Sequence, residues 1–415
     1  MLLSVVVTTY NKPRDLLRVL EGFRHQTWTE LELLVCDDGS GPETAALVRD
    51  YAAGAPFPVH HVWQEDLGFR AARSRNNGAR RAEGEVLVFA DGDCVPTPEF
   101  LAVHAAAHRP DAFQAGERWL LSEEESAAVT VESIASGAAF AQVPARERKR
   151  VGGQRWKNGF YRWTGLKPDR PHLMTSNCSV PRAAFADVNG LDERYEGWGH
   201  EDEDLRRRLV ARGYRPLSVV GQANCLHLWH AADPTFLGKR KLSPNWSYYE
   251  RGFQLTRCRR GLTERGLGDL TARVEGPPAL VEAARAALGL RQDEPPPGRQ
   301  GGASGPGIQG GASGPGERLE LLLRLDPGDG PPPPRGRAEV VVHLTAGPAE
   351  PARLRGAHLV LGPGLPLAGG ELRGEQHPAV DPALARVGVR ATRPLPPNLD
   401  AAALAEAARL LDVLL

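Results

Sequence analysis

Apolar and polar positions alternate along the first hundred residues in blocks that switch period. "LSVVVTTY" is a continuous apolar run closed by polar residues, the pattern of a strand buried on both faces. "PRDLLRVLEGFRHQ" follows with Leu16, Leu17, Leu20 and Phe23 at helical spacing behind Pro13, which suits a first helical turn. The cycle repeats: "LELLVCDDGSG" reads as strand, "PETAALVRDYAAG" as helix, "PVHHVWQ" as strand, "AARSRNNGARRAEG" as helix and "EVLVFADGD" as strand. Such alternation predicts an α/β fold with a mostly parallel sheet and helices on both faces. Ligands on such sheets bind beyond the carboxyl ends of the strands, and the polar groups of "TTYN", "CDDGS" and "ADGD" fall there.

The middle is less regular. "MTSNCSVPR" is a candidate strand, "GHEDEDLRRRLVARGYRP" a helix ending at Gly213, and "LSVVGQANCLHLWH" a strand with histidines at its end. "NWSYYERGFQLTRCRRGL" reads as an aromatic-bearing helix. Residues 291–317 are rich in Pro, Gly and Ser and repeat "QGGASGPG", which predicts a flexible linker. Beyond it, "RLELLLRL", "AEVVVHL", "AHLVLG" and the amphipathic "LDAAALAEAARLLDVLL" predict a small α/β module over 318–415, with no chemistry of its own in the sequence. The expected division is a domain over 1–290, with one half at 1–110 and another at 111–260, then the linker and the module.

Composition narrows the class. Lys plus Arg number 51, as do Asp plus Glu, so nothing global argues for nucleic acid. The basic clusters "RERKR", "RRR" and "RCRR" read first as solvated faces, with a peripheral contact to an anionic membrane surface or polymer as the alternative. Five cysteines without a C-x-x-C pair argue against a disulfide framework. "MLLSVVVTTYNKP" lacks the features of a secretion signal, and no apolar run is long enough to span a bilayer, so the expected location is cytoplasmic, at most resting on the inner face of a membrane.

Three stretches could carry chemistry. In "FADGDCV", Asp91 and Asp93 flank a glycine at a strand end; paired hard oxygens suit Mg²⁺ or Mn²⁺, although Asp-Gly is also common turn chemistry. In "CLHLWHAADP", His227 and His230 are candidate partners for such an ion or packed histidines; a zinc site with Cys225 lacks a fourth ligand at recognisable spacing. "GWGHEDEDL" crowds Glu201, Asp202, Glu203 and Asp204 behind Trp198, which fits a helix start near a positive dipole end or acids aimed into a cleft.

Together these stretches resemble the inverting, metal-dependent nucleotide-sugar glycosyltransferases of the large family-two group, over residues 2 to about 260. "SVVVTTYNKPRDLLRVLEGFRHQT" resembles the family's opening strand and helix, "LLVCDDGS" its nucleotide-binding acids, and "DLGFRAARSRNNGARRAEGEVLVFADGD" its Arg-Asn helix leading to Asp-x-Asp. "NGLDERYEGWGHEDEDLRRRLVARGY" is similar to the acceptor-and-base segment of bacterial chondroitin-type polymerases and animal β-1,4-galactosyltransferases. The resemblance implies a GT-A type sheet, an Mn²⁺ or Mg²⁺ cofactor, a nucleotide-sugar donor (by expectation a UDP-sugar) and a glycan or lipid-linked acceptor. It assigns Thr9, Tyr10, Asp37 and Asp38 to the base and ribose pocket, with Arg75 and Asn76 on the helix beside it. Asp91 would hold ribose or donor sugar, and Ser176 and Asn177 would pass the donor. Trp198 would stack on a sugar ring, Glu201 would orient the acceptor and Asp202 would be the base. Asp93 would bind the metal with His227, with His230 contesting that place. Gly159–Met174 is a candidate lid. A sugar-phosphate nucleotidyltransferase is disfavoured because "TTYNKP" has no glycine-rich phosphate loop. An inactive binding scaffold is the remaining alternative.

Overall fold

The computed structural model describes residues 1–167, 170–231, 244–251, 254–290, 319–325, 338–344, 357–362, 365, 390–395 and 401–415. The chain divides into two compact units, one spanning Met1–Arg240 and Thr256–Thr263, the other Lys241–Leu255 and Glu264–Leu415.

The first unit begins with β1 (Leu3–Thr9), α1 (Pro13–Arg24), β2 (Leu31–Asp37), α2 (Pro42–Ala53), β3 (Val59–Trp63), α3 (Ala71–Arg81) and β4 (Val86–Asp91). It continues through β5 (Cys94–Pro96), α4 (Phe100–Ala107), β6 (Ala112–Ala115) and β7 (Trp119–Leu120). Short helices α5 (Glu123–Ala127), α6 (Val131–Ala135) and α7 (Ala138–Ala141) precede the long α8 (Ala145–Thr164). Then come β8 (Asn177–Pro181), α9 (Arg182–Asp187), α10 (Glu201–Ala211), β9 (Arg215–Ser218) and β10 (Cys225–His227).

Seven strands form the main sheet in the order β3-β2-β1-β4-β8-β6-β9. β1, β2, β3 and β4 run parallel, and β8 runs antiparallel between β4 and β6. The apolar runs of β1, β2 and β4 are buried because helices cover both faces: Leu3, Val5 and Val7 pack in one core with Leu16, Leu20 and Phe23 of α1. Val6, Leu34 and Phe89 pack in the other with Ala72 and Ala79 of α3 and Leu205 and Leu209 of α10. Successive strands move outward from β1 to β3, and the chain then returns to place β4 on β1's other side. That reversal opens a crevice at the carboxyl edge. Register aligns Thr9 with Asp37 and Thr8 with Asp91 there. The stretch read as one strand ending in histidines is two, β9 and β10, joined by a turn at Gly221; β10 leaves the main sheet to pair with β5 and β7. This smaller sheet sets His227 opposite Cys94, next to Asp93.

The second unit holds α11 (Pro244–Tyr249), β11 (Ala272–Glu275), α12 (Pro278–Leu288), β12 (Leu319–Leu325), β13 (Ala338–Leu344), β14 (Leu359–Gly362), β15 (Ala391–Pro394) and α13 (Ala401–Leu414). Among the described residues its five strands are all parallel, and Leu321, Leu323, Val342, Leu344 and Leu359 pack with Leu288 of α12 and Leu404 and Leu411 of α13. β11 and α12, expected with the region ending at 290, belong to this unit because β11 pairs with β12. The linker expected at 291–317 lies outside the described residues. The aromatic helix expected from Asn245 onward stops at Tyr249. Thr256–Thr263 forms bends instead, bonded to the first unit through Asn189, whose side chain donates to the Cys258 and Thr263 carbonyls at 2.8 Å each.

All five cysteines are buried thiols. No helix of the described residues is long and apolar enough to cross a membrane.

Candidate active site at the carboxyl edge of the sheet

The acids of "GHEDED" are sorted by the helix they start. Gly197, Gly199 and His200 all adopt positive φ, and these turns deliver the chain into α10 with four carboxylates on its first turn, near the positive end of the helix dipole. Three of the four are taken by arginines. Asp204, fully buried, accepts from Arg208 Nε at 2.7 Å and from the Tyr195 hydroxyl at 3.1 Å. Arg208 donates in turn to the Val188 and Gly190 carbonyls, which fixes the preceding loop. Glu203 accepts from Arg206 Nε at 2.8 Å and pairs with His172. Glu201 accepts from Arg75 at 3.2 Å.

Asp202 alone has no ion-pair partner among the described residues; one oxygen accepts from the Glu203 backbone N–H at 2.7 Å. Desolvation raises its pKa to about 7, and the neighbouring Glu201 charge adds to the rise. A carboxyl poised near neutrality is suited to take a proton.

Arg75 is 5% exposed and links α10 to the sheet, since its other terminal nitrogen donates to Asp91 Oδ1 at 2.9 Å. Asp91, Arg75, Glu201 and Asp202 therefore form one continuous group. Glu201 keeps a buried second oxygen with no hydrogen-bond partner, and Arg75 a buried Nε likewise. Unpaired buried polar atoms are costly, and a polar ligand in the crevice would relieve that cost.

Two residues along the chain, Asp93 meets His227, with Nε2 at 3.8 Å from Oδ1, and His230, with Nε2 at 3.5 Å from Oδ2. Burial raises the Asp93 carboxyl, but His227, Lys12 and His230 outweigh it and hold the pKa below its usual value. Burial lowers the pKa of His227, which favours the neutral imidazole a metal needs. These ligand atoms lie within 4.8 Å of one another. The spacing leaves room for an ion with bonds of about 2.0–2.2 Å, so the carboxylate and imidazoles fit a divalent cation. Lys12 Nζ sits 3.1 Å from Asp93 Oδ2 and supplies a positive charge at the same oxygen.

Other expected contacts are arranged differently. Asp37, 0% exposed, accepts from the Ser40 N–H at 2.7 Å and pairs with His61 at 2.9 Å. Burial pushes its pKa up, but His61 and Ser40 bring it below the usual value. Asp38 accepts from Gln64 at 2.5 Å and the Arg70 N–H at 2.7 Å, and burial raises its pKa. Both carboxylates are held by loop groups at the carboxyl edge of the sheet, beside the end of β1 where the base and ribose pocket was expected. Asn76 is fully buried and bonds Leu191 O, Leu191 N–H and Glu193. Asn177 is fully buried too, donating to the Glu117 and Ala223 carbonyls and meeting His104 Nε2 at 3.2 Å. These hydrogen bonds of both amides run to groups of the interior beside the site. Ser176 accepts from Arg118 at 2.9 Å.

Thr9 is buried with an unpartnered hydroxyl oxygen at the end of β1, while Tyr10 is 44% exposed and donates to Asp66 at 2.9 Å. Trp198 is 37% exposed in a loop tied to the Phe69 carbonyl through the Gly197 N–H at 2.8 Å. Within the candidate lid, residues up to Thr164 are the last turns of α8. Lys12 and the bridging role of Arg75 were not read from the sequence. The position of Lys12 just past β1, level with the β4 acids, was the available signal.

Comparison with known proteins agrees with the expected resemblance. The model for glycosyl transferase family 2 matches residues 4–116, and that described as the N-terminal domain of galactosyltransferase matches residues 160–230. Validoxylamine A glucosyltransferase of Streptomyces hygroscopicus subsp. jinggangensis is 34% identical over 235 residues, covering 52% of this chain and 53% of its own. The chain thus spans about half the length of that curated relative. Hyaluronan synthase of Pasteurella multocida is 36% identical over 104 residues, covering 25% of this chain and 10% of its own. Among solved structures, a mannosyltransferase from Pyrobaculum calidifontis in complex with GDP-Man and Mn²⁺ matches with a TM-score of 0.40 at 17% identity, covering 60% of this chain and 61% of its own.

Proposed function

Starting from an N-terminal region that belongs to glycosyltransferase family 2, we propose that the chain is a metal-dependent inverting glycosyltransferase with Asp202 as its base. The donor is a nucleotide diphosphate sugar, by expectation a UDP-sugar, and the acceptor is a hydroxyl of a glycan or lipid-linked sugar. The name of the Streptomyces relative adds glucosyl transfer to a small acceptor as a variant of the same chemistry. The observation that carries the reading is the sorting of the four acids: three are held by arginines, and Asp202 remains with a pKa raised to about 7.

In this mechanism an acceptor hydroxyl lies between Asp202 and the anomeric carbon. Asp202 removes the hydroxyl proton as the oxygen attacks, the bond to the diphosphate breaks, and configuration inverts. Glu201, fixed by Arg75, orients the acceptor through its free oxygen. Trp198 offers a ring face to a sugar. Asp93, His227 and His230 would hold the divalent ion, which neutralises charge on the departing diphosphate when bound. Two imidazoles in that set favour Mn²⁺ over Mg²⁺, which prefers oxygen ligands throughout. Thr9 and Tyr10 border the nucleotide, and Arg75 anchors Asp91 so that it faces the donor.

The test is Asp202→Asn. Donor binding measured by calorimetry is retained, while transfer falls by about 10²-fold or more. Near wild-type turnover in that variant would refute the assignment.

A further inference from the structure

The long helix α8 buries little of itself. Of its twenty residues, Glu147, Val151 and Asn158 are the buried ones. The opposite side carries Trp156, Phe160 and Trp163, at i, i+4 and i+7, a single stripe along the helix. Trp156 is 69% exposed and Trp163 83%, and Leu166 just past the helix end is 69% exposed. Trp156 and Phe160 stack on each other with centroids 5.6 Å apart and planes at 11°, and Phe160 leans on Trp163 at 6.3 Å. A contiguous exposed aromatic patch rimmed by polar residues is the kind of surface that marks an interaction site.

Its flanks are cationic. The sequence "ARERKRVGGQRWKNGFYRWT" holds seven Lys or Arg against one Glu, in a chain whose formal net charge is zero. By helical spacing, Arg155 and Arg162 lie on one side of the aromatic stripe, Lys157 on the other and Lys149 in line with it. All four are exposed. Among the described residues none of the four has an ion-pair partner, unlike Arg146 and Arg150, which pair with Glu125 and Glu147.

We infer that α8 is an interfacial helix that lays its Trp156–Phe160–Trp163 stripe into the headgroup region of an anionic phospholipid bilayer, with Arg155, Lys157 and Arg162 on lipid phosphates. Amphipathic helices with tryptophans on one face and unpaired cations beside them lie in that plane. A sugar-binding platform would instead set carboxylates or amides beside the rings to take up hydroxyls. Here cations flank the rings, and Trp156 and Phe160 cover each other's faces. This surface does not depend on the transferase reading: Arg155, Trp156 and Lys157 lie outside the candidate lid, and its later residues, Phe160, Arg162 and Trp163, are the ones that fall within Gly159–Met174.

The experiment is co-flotation of the full chain with vesicles of phosphatidylcholine alone and of phosphatidylcholine with phosphatidylglycerol. Binding to the anionic vesicles is expected to exceed binding to the neutral ones by about ten-fold or more, and to weaken with salt. Trp156→Ala lowers it, and Arg155→Glu with Lys157→Glu lowers it by about 25-fold, since each cation near such a surface contributes roughly five-fold. Both variants keep donor binding, because Arg155, Trp156 and Lys157 precede Gly159 and lie outside the candidate lid; the Arg155 side chain lies beside Gly221, so Lys157→Glu alone, lowering vesicle binding about five-fold, controls for any loss of packing there. Absence of vesicle binding, equal binding to both compositions, or unchanged binding by either variant would overturn the inference. So would retention on an immobilised anionic polysaccharide without binding to anionic vesicles.

Discussion

Asp91 and Glu201, one at the end of a sheet strand and the other on the first turn of a distant helix, are joined by the single guanidinium of Arg75. The half of the site built by β1–β4 and the half built by α10 are thus connected by a charge that is almost wholly buried. Removing one partner of such a group leaves uncompensated charge in the interior. Arg75→Met is expected to cost about 3–5 kcal/mol of folding stability and to abolish transfer. Arg75→Lys, with one point charge in place of a fork, retains part of the stability but loses most of the activity. Chemical denaturation beside turnover separates the two losses.

Asp202 predicts opposite pH responses for activity and stability. As the proposed base it must be ionised, so kcat/KM is expected to rise with pH through about 7. Its folded pKa is raised above the unfolded value, so the native state binds the proton more tightly. The stabilisation from that proton is fully present below about pH 4 and is lost as pH rises through about 7, at roughly 1.4 kcal/mol per unit across the interval. Asp202→Asn is therefore expected to be more stable than wild type at pH 8 and equal to it at pH 4. Equal stability at pH 8 would contradict the buried, charge-crowded setting of this carboxyl.

If the proposed ion binds at Asp93, Lys12 competes with it for that carboxylate. Lys12→Met is expected to tighten Mn²⁺ binding in the absence of nucleotide, measured by calorimetry, because one oxygen of Asp93 is released. His227→Ala and His230→Ala each weaken it, and Mn²⁺ supports more transfer than Mg²⁺ at equal concentration. Full turnover in excess chelator would remove the metal from the mechanism.

Asn76 tests the division between scaffold and site. Its side chain bonds both the N–H and the carbonyl of Leu191. Asn76→Ala should destabilise the fold by about 2–3 kcal/mol by leaving those groups unpaired. The donor Kd of the remaining folded protein should stay within about two-fold of wild type, an outcome a direct donor contact would not allow.

Periodicity made the scaffold of the first unit legible. The runs "LSVVVTT" and "VLVFAD" are strands because a strand covered by helices on both faces needs apolar residues at every position. Asp93 with the two histidines was also within reach, since like ligand chemistry recurred at strand ends. The Arg75 bridge was not, because it needs the register of α3 against α10, which no local pattern encodes. The interior roles of Asn76 and Asn177 were hidden for a related reason: a buried amide and a ligand-binding amide are the same letters, distinguished by which tertiary groups surround them. The stretch after Tyr249 misled because its aromatic spacing suits a helix, whereas Thr256–Thr263 satisfies its backbone through Asn189.

The parentage of β11 bears on where the polypeptide can be cut. A gene fragment stopped at residue 290 would retain β11 and α12 while discarding β12, and so would carry a bare strand edge and an apolar helix side with no partner. A fragment stopped at residue 263 would end where the Asn189 bonds close the first unit, keeping Lys241–Leu255 as its one piece of the second. The shorter piece, counter to the usual instinct to trim inside a low-complexity stretch, is the one to expect in the supernatant.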